Sequence, residues 1–245
     1  MPVTKRINIG NNGWVLACLC GGVLLCSLTV FWMLDSLPVY VLLHAGLMLC
    51  AWSVCFPIGV LIARFFKVTH AQKFPEQLDN QYWWIWHQIL QYLGILLATV
   101  ATLINWQHGG FGSTLHAKLG LLLVVLAWAQ AVSSWLRGTK GGPSDVNLKG
   151  DHFDMTLRRK VFEHWHKSLG WLCLLTSQWV LGLGLQLVGV AFWVCITVPT
   201  LNVAFFCLVF WRLSKQKRWI TTYEAIWGVR APHGPLITQF KSVRK

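Results

Sequence analysis

The sequence predicts an all-α membrane protein, and three observations carry that prediction. Of the 245 residues, 55% are hydrophobic and only 12% charged, a balance outside the range of soluble domains. The apolar residues gather into six runs near 14–34, 39–63, 83–105, 113–136, 163–187 and 190–211. Each approaches the roughly 20 residues needed to cross a hydrocarbon core about 30 Å thick. The basic residues, finally, fall almost wholly between alternate runs.

The first run follows Lys5 and Arg6. It is long and no small-residue cleavage site closes it, so it reads as a retained span and not as a signal peptide. Runs two and three are joined by residues 64–82, and runs three and four by "WQHGGFG". Runs four and five are joined by 137–162, where "RGTKGGPSD" excludes continuous helix. Almost nothing separates runs five and six, and the short connections on that side leave no room for an external domain. The chain divides into 1–38, a cytoplasmic segment with the first span; 39–212, a five-span core unit; and 213–245, a basic cytoplasmic tail. The tail is expected either along the membrane surface or in solvent.

Threading six spans puts Arg64, Lys67, Lys73, Arg137, Lys140, Lys149, Arg158, Arg159, Lys160, Arg212, Lys215, Lys217 and Arg218 on the side of the N-terminus. The other side has Asp35 and, near a helix start, Lys118. By the positive-inside rule both termini are cytoplasmic in a multi-pass protein of the plasma, vesicle or another inner membrane. The net charge of +13 thus reports topology and lipid as partner, with no nucleic-acid partner expected. All eight cysteines lie inside spans without ligand-type spacing and read as packing residues.

The stretch "KVFEHWHKSLGW" holds His164 and His166 two residues apart. On a helix turning about 100° per residue they point to nearly opposite sides, so at most one faces the bundle. Intramembrane ionisable residues usually do face it, and His44, His87, His116 and His166 supply one on each of spans two to five. His44 and His116 lie near the outer starts of spans two and four. His87 and His166 lie near the inner starts of spans three and five. One membrane histidine is most often a hydrogen-bonded core residue; four in two matched layers ask for a common role.

Two imidazoles at one depth on different helices can clamp a haem iron from both faces, so two layers imply two haem groups. With each iron about one turn inside its surface, the gap between the macrocycles is of order 10 Å, short enough for electron tunnelling. Small residues follow the histidines on the same faces: Gly120 and Ala127 after His116; Gly170, Cys173 and Ser177 after His166; Gly94 and Ala98 after His87; Ala51 and Cys55 after His44. The His164 face continues through Ser168, Trp171 and Leu175 and is bulkier. His166 is therefore the ligand candidate and His164 an interfacial residue.

The segments "HAGLMLCAWSVCFPIGVLIARFFK", "WIWHQILQYLGILLA", "LHAKLGLLLVVLAWAQ" and "HWHKSLGWLCLL" together resemble the cytochrome b561 family. The likeness covers about residues 40–212 and is nearest the branch that carries DOMON domains and ferric-chelate reductases. The resemblance implies a four-helix core, helices two to five, around two haem b groups. It pairs His44 with His116 and His87 with His166 as axial metal ligands, the same pairs as the depth argument. The chain departs from DOMON-linked members in having no such domain. It also has "GVLIARFFK" and "STLHAKLG" where ascorbate-using members have "ALLVYRVFR" and "SLHSW", which leaves ascorbate as one candidate donor among others.

The expected function is transmembrane electron transfer, ferric-reductase-like, from a small cytoplasmic donor such as ascorbate to an acceptor outside such as a ferric chelate. Arg64 and its basic neighbours would attract an anionic donor; Lys167 and Lys118, beside His166 and His116, are candidate partners for haem propionates or substrate. Two rival readings stand beside it: a haem-bearing membrane-anchor subunit for a separate redox enzyme, and a proton or metal-ion carrier. The carrier would want carboxylates along the histidine path, yet only Asp35 and Glu163 lie near the membrane. Association into a homodimer is left open.

Overall fold

The computed structural model describes residues 37–68, 72–73, 81–110, 112–138, 156–216, 222 and 225. Five helices among them are long and apolar enough to cross a membrane. They begin and end close to the expected runs, and the expected first span, 14–34, lies outside the described residues, as does most of the basic tail. The first of the five is α1 (Val39–Leu49) and α2 (Phe56–Phe65) joined by one π-helical segment, Cys50–Cys55. Then come α3 (Tyr82–Gly109), α4 (Leu115–Trp135), α5 (Leu157–Leu187) and α6 (Phe192–Gln216).

Local chemistry accounts for the boundaries. Pro38 opens α1, and α3 stops at Gly110, whose φ of 68° suits glycine. Thr114 caps α4 by accepting from the N–H of Ala117, and Thr156 caps α5 by accepting from Arg159. The π-helical segment precedes Pro57, which has no N–H to return to Ser53; Phe56 instead bonds back to Ala51. That wide turn rotates Ser53 inward, where it is buried. α5 starts at Leu157 and not near 163, because the charged turn "LRRKVF" continues the helix beyond its apolar run.

The α1–α2 span packs chiefly on α3, α4 on α5, and α6 on α5. Large apolar side chains such as Leu96, Val125, Trp128 and Leu172 face outward, as expected where the surroundings are lipid. The central core joins Trp52 and Phe56 to Ile95, Ala98, Leu123, Ala127, Leu169 and Cys173. Small residues dominate the closest contacts, with Ala51, Ala98 and Ala101 wholly buried. α6 approaches α5 at Gly182, where a Cβ would lie 2.6 Å from the Cys195 carbonyl oxygen. It is tied in further by Asn202, whose Nδ2 donates to Ser53 Oγ (3.4 Å) and to Gln178 Oε1 (3.2 Å).

Candidate functional site

The antiparallel order brings the starts of α1 and α4 together with the ends of α3 and α5. There His44 and His116 face each other with ring centroids 6.1 Å apart and planes at 70°. At the opposite end His87 and His166 repeat the arrangement at 6.1 Å and 77°. Each pair joins diagonal helices, which share no principal packing face. The imidazoles therefore meet across the bundle's centre.

Three of the four rings are held by backbone. His44 Nδ1 lies 2.9 Å from the Ala101 carbonyl oxygen, His87 Nδ1 2.9 Å from that of Gly59, and His116 Nδ1 3.0 Å from that of Val180. A carbonyl oxygen only accepts, so Nδ1 carries the proton in each neutral ring and Nε2 is left as the basic nitrogen. That is the outer-sphere arrangement usual for a metal-ligating histidine. His166 differs: its Nδ1 is buried without a hydrogen-bond partner, while Phe162 stacks on its ring at 5.0 Å.

Among the described residues no group of three or more His, Cys, Asp or Glu side chains could hold a metal ion. Each pair supplies two imidazole ligands, so a metal there would need a group that brings its own further donors. Each pair could supply two of the ligands of such a group.

A cavity of about 630 Å³ opens beside His87 and His166, a size usual for cofactor sites. Arg64, Lys67, Arg137, Arg159 and Lys167 line it together with Glu163. Glu163 accepts from Lys167 Nζ at 2.7 Å and from Arg159 Nε at 3.5 Å, so Lys167 is already engaged by a carboxylate. The Arg137 guanidinium lies 4.1 Å over the Trp84 ring; burial, then the neighbouring Arg159, push its pKa below the ordinary value. Of the basic residues singled out from sequence, Arg64 and Lys167 reach this cavity. Lys118 is exposed at the start of α4, in the other layer.

The remaining histidines divide as follows. His164 is exposed on α5. His108 is exposed at the end of α3, its Nδ1 2.9 Å from the Ile104 carbonyl oxygen and its ring stacked on Tyr40 at 4.6 Å. His70, His152 and His233 lie outside the described residues. Three features were not read from sequence. Gln130 donates to the His166 carbonyl oxygen. Gly184 leaves room for the His116 ring, 2.8 Å from where a Cβ would stand. Arg137, counted only as a topological charge, lines the cavity. Their signals were a polar residue inside a span, a glycine between bulky neighbours and a cation at a helix end.

Several known proteins resemble the chain in sequence. No family model matches the chain, and no solved structure matches it. A cytochrome b561 and DOMON domain-containing protein of Arabidopsis thaliana is 28% identical over 183 residues, 72% of this chain and 35% of that protein. A cytochrome b561, DM13 and DOMON domain-containing protein of the same plant is 26% identical over 148 residues, 60% of this chain and 14% of that protein. Ferric-chelate reductase 1 of Homo sapiens is 28% identical over 153 residues, 60% of this chain and 22% of that protein. The chain thus spans about a third or less of the length of these relatives. Its homologues are cytochrome b561-containing proteins and ferric-chelate reductases, and it resembles their branch in its membrane helices.

Proposed function

We propose that the protein moves electrons across a membrane through two haem b groups, one held by His44 and His116 and the other by His87 and His166. One observation carries the reading: both histidine pairs stand 6.1 Å apart between ring centroids, at opposite ends of one bundle. That is close to the span of two imidazoles on one metal, with about 2 Å per metal–nitrogen bond and about 1 Å from nitrogen to ring centre.

The residues present fit such a group. Three Nδ1–carbonyl bonds leave Nε2 as the ligand atom, and Gly94, Ala98, Ala127 and Cys173 keep the bundle centre narrow-chained and buried. Held by the two histidine pairs, haem would supply one-electron carriers. The chain's own residues do the rest. Trp52, Phe56 and Ile95 form part of the apolar core and of the wall of the His87–His166 cavity. Arg64, Lys67, Arg137 and Arg159 make the His87–His166 end strongly cationic, which favours propionates and an anionic donor there.

Described basic residues at that end, among them Arg64, Lys67, Arg137, Arg158, Arg159, Lys160 and Arg212, support a cytoplasmic position for it by the positive-inside rule. With the expected first span at 14–34, both termini then lie in the cytoplasm, and the His44–His116 end faces the acceptor. From the relatives named ferric-chelate reductases a ferric chelate is the acceptor to test first, and ascorbate the donor. The experiment is reconstitution of purified protein into vesicles with ascorbate enclosed and a ferric chelate outside. Ferrous product appearing outside, and lost in His87→Ala, is expected. Haem reduction by enclosed ascorbate without any product outside would instead favour an anchor that serves a separate enzyme, and a haem-free active carrier would overturn the reading.

A further inference from the structure

We infer that Gln130 is the positioning residue of His166, taking the proton of its Nδ1 as hydrogen-bond acceptor and so setting the tautomer and basicity of this one ligand. The inference rests on the haem reading above. It starts from an asymmetry: three of the four histidines have Nδ1 against a backbone carbonyl on another helix, and His166 does not. Among the described residues, two buried side-chain polar atoms lack a hydrogen-bond partner, His166 Nδ1 and Gln130 Oε1.

These two atoms are complementary. If His166 uses Nε2 as ligand atom, Nδ1 must be a donor, and a buried donor without an acceptor is costly. Gln130 Oε1 is an acceptor without a donor. The two side chains are also neighbours: Gln130 Nε2 donates to the carbonyl oxygen of His166 itself at 3.0 Å, and both residues line the same cavity. Exchanging the amide's oxygen and nitrogen would set two oxygens against each other at that carbonyl, so the hydrogen bond fixes which way the amide points. A hydrogen bond between Oε1 and Nδ1, direct or through one ordered water, would satisfy both orphan atoms at once.

The consequence is chemical. A histidine that donates Nδ1–H to a firm acceptor becomes a more basic ligand, and ligand basicity is one of the levers on haem potential. The other three histidines depend on main chain and cannot be retuned by substitution at the acceptor. His166 depends on a side chain, so the potential of its haem is adjustable through position 130.

The test uses purified, haem-loaded full-length protein and two variants, Gln130→Met and Gln130→Glu, followed by redox titration and low-temperature EPR of both low-spin ferric centres. The inner centre is assigned as the signal missing from His87→Ala. Methionine keeps the length and removes the amide; glutamate keeps an acceptor and loses the Nε2 donor. In Gln130→Met the inner haem is expected to become easier to reduce, by about tenfold in its reduced-to-oxidised ratio at fixed potential, about 59 mV for one electron. In Gln130→Glu it is expected at or below the wild-type potential, with inner g-values moved in the opposite sense. The outer centre stays unchanged in both. If Gln130 only ties α4 to α5, both variants lose the same Nε2 bond and shift together, which overturns the inference; unchanged inner potentials do so as well. Wild-type protein without two low-spin haems would overturn the underlying reading and not the pairing of these two side chains.

Discussion

His87 and His166, on diagonal helices, hold their rings 6.1 Å apart, the same separation that His44 and His116 adopt at the other end of the bundle. Nothing in simple helix packing demands that two unrelated pairs match. The proposed shared ligand geometry would, and its consequences can be measured pair by pair.

Removal of one ligand is expected to act on one layer. In His116→Ala the outer haem should be lost or become high-spin, while the inner one keeps its spectrum and potential. Haem content with redox titration of the folded variant checks this; loss of both haems, or of neither, contradicts the pairing.

Gly184 offers a gentler perturbation of the same layer. A Cβ there would stand 2.8 Å from His116 Cε1 and 3.1 Å from Nδ1, so Gly184→Ala must push the ring away from the Val180 carbonyl. Overpacking of this kind costs about 1–3 kcal/mol, and weakened outer-haem retention with an intact inner haem is expected. Gly109→Ala is the control, since a Cβ there meets nothing within 4 Å. Equal haem content in the two variants would argue against crowding at His116.

Topology can be read by labelling. Gly110 has a φ of 68° and would strain any cysteine placed there, whereas Gly109 is free of close neighbours. Gly109→Cys should react with a membrane-impermeant thiol reagent in intact cells, against unsubstituted protein as background. Reaction only after permeabilisation would invert the proposed orientation.

The two histidines of "EHWH" differ in direction more than in position. His164→Ala, at an exposed site, should keep both haems and lose at most about 1 kcal/mol, while His166→Ala should lose the inner haem. Reduced-minus-oxidised spectra normalised to folded protein compare them. The opposite result would mean that the helix phase at this end of α5 is wrong.

How far the structure was legible in the sequence depends on the range of the interaction. The five described spans follow from apolar run length, and depth along each span needed only chain order, which is why His44 could be matched with His116 and His87 with His166. The π-helical segment was hidden, because Pro57 announces a lost hydrogen bond without saying how the chain absorbs it. Glu163 and Lys167 are spaced for a helical ion pair, but their place beside a cavity depends on α5 running on through a polar turn. Gln130 and Gly184 take their roles from the register of α4 against α5. That register is a property of packed surfaces, and no local pattern encodes it.

The most direct measurement is the haem content and reduced spectrum of the purified full-length protein. Two haem b groups per chain are expected, both low-spin, with sharp reduced bands and two resolvable potentials, and one group should disappear with each histidine pair. Protein that is folded and haem-free, or that binds a single haem unaffected by His44→Ala or His87→Ala, would contradict the assignment of these four histidines.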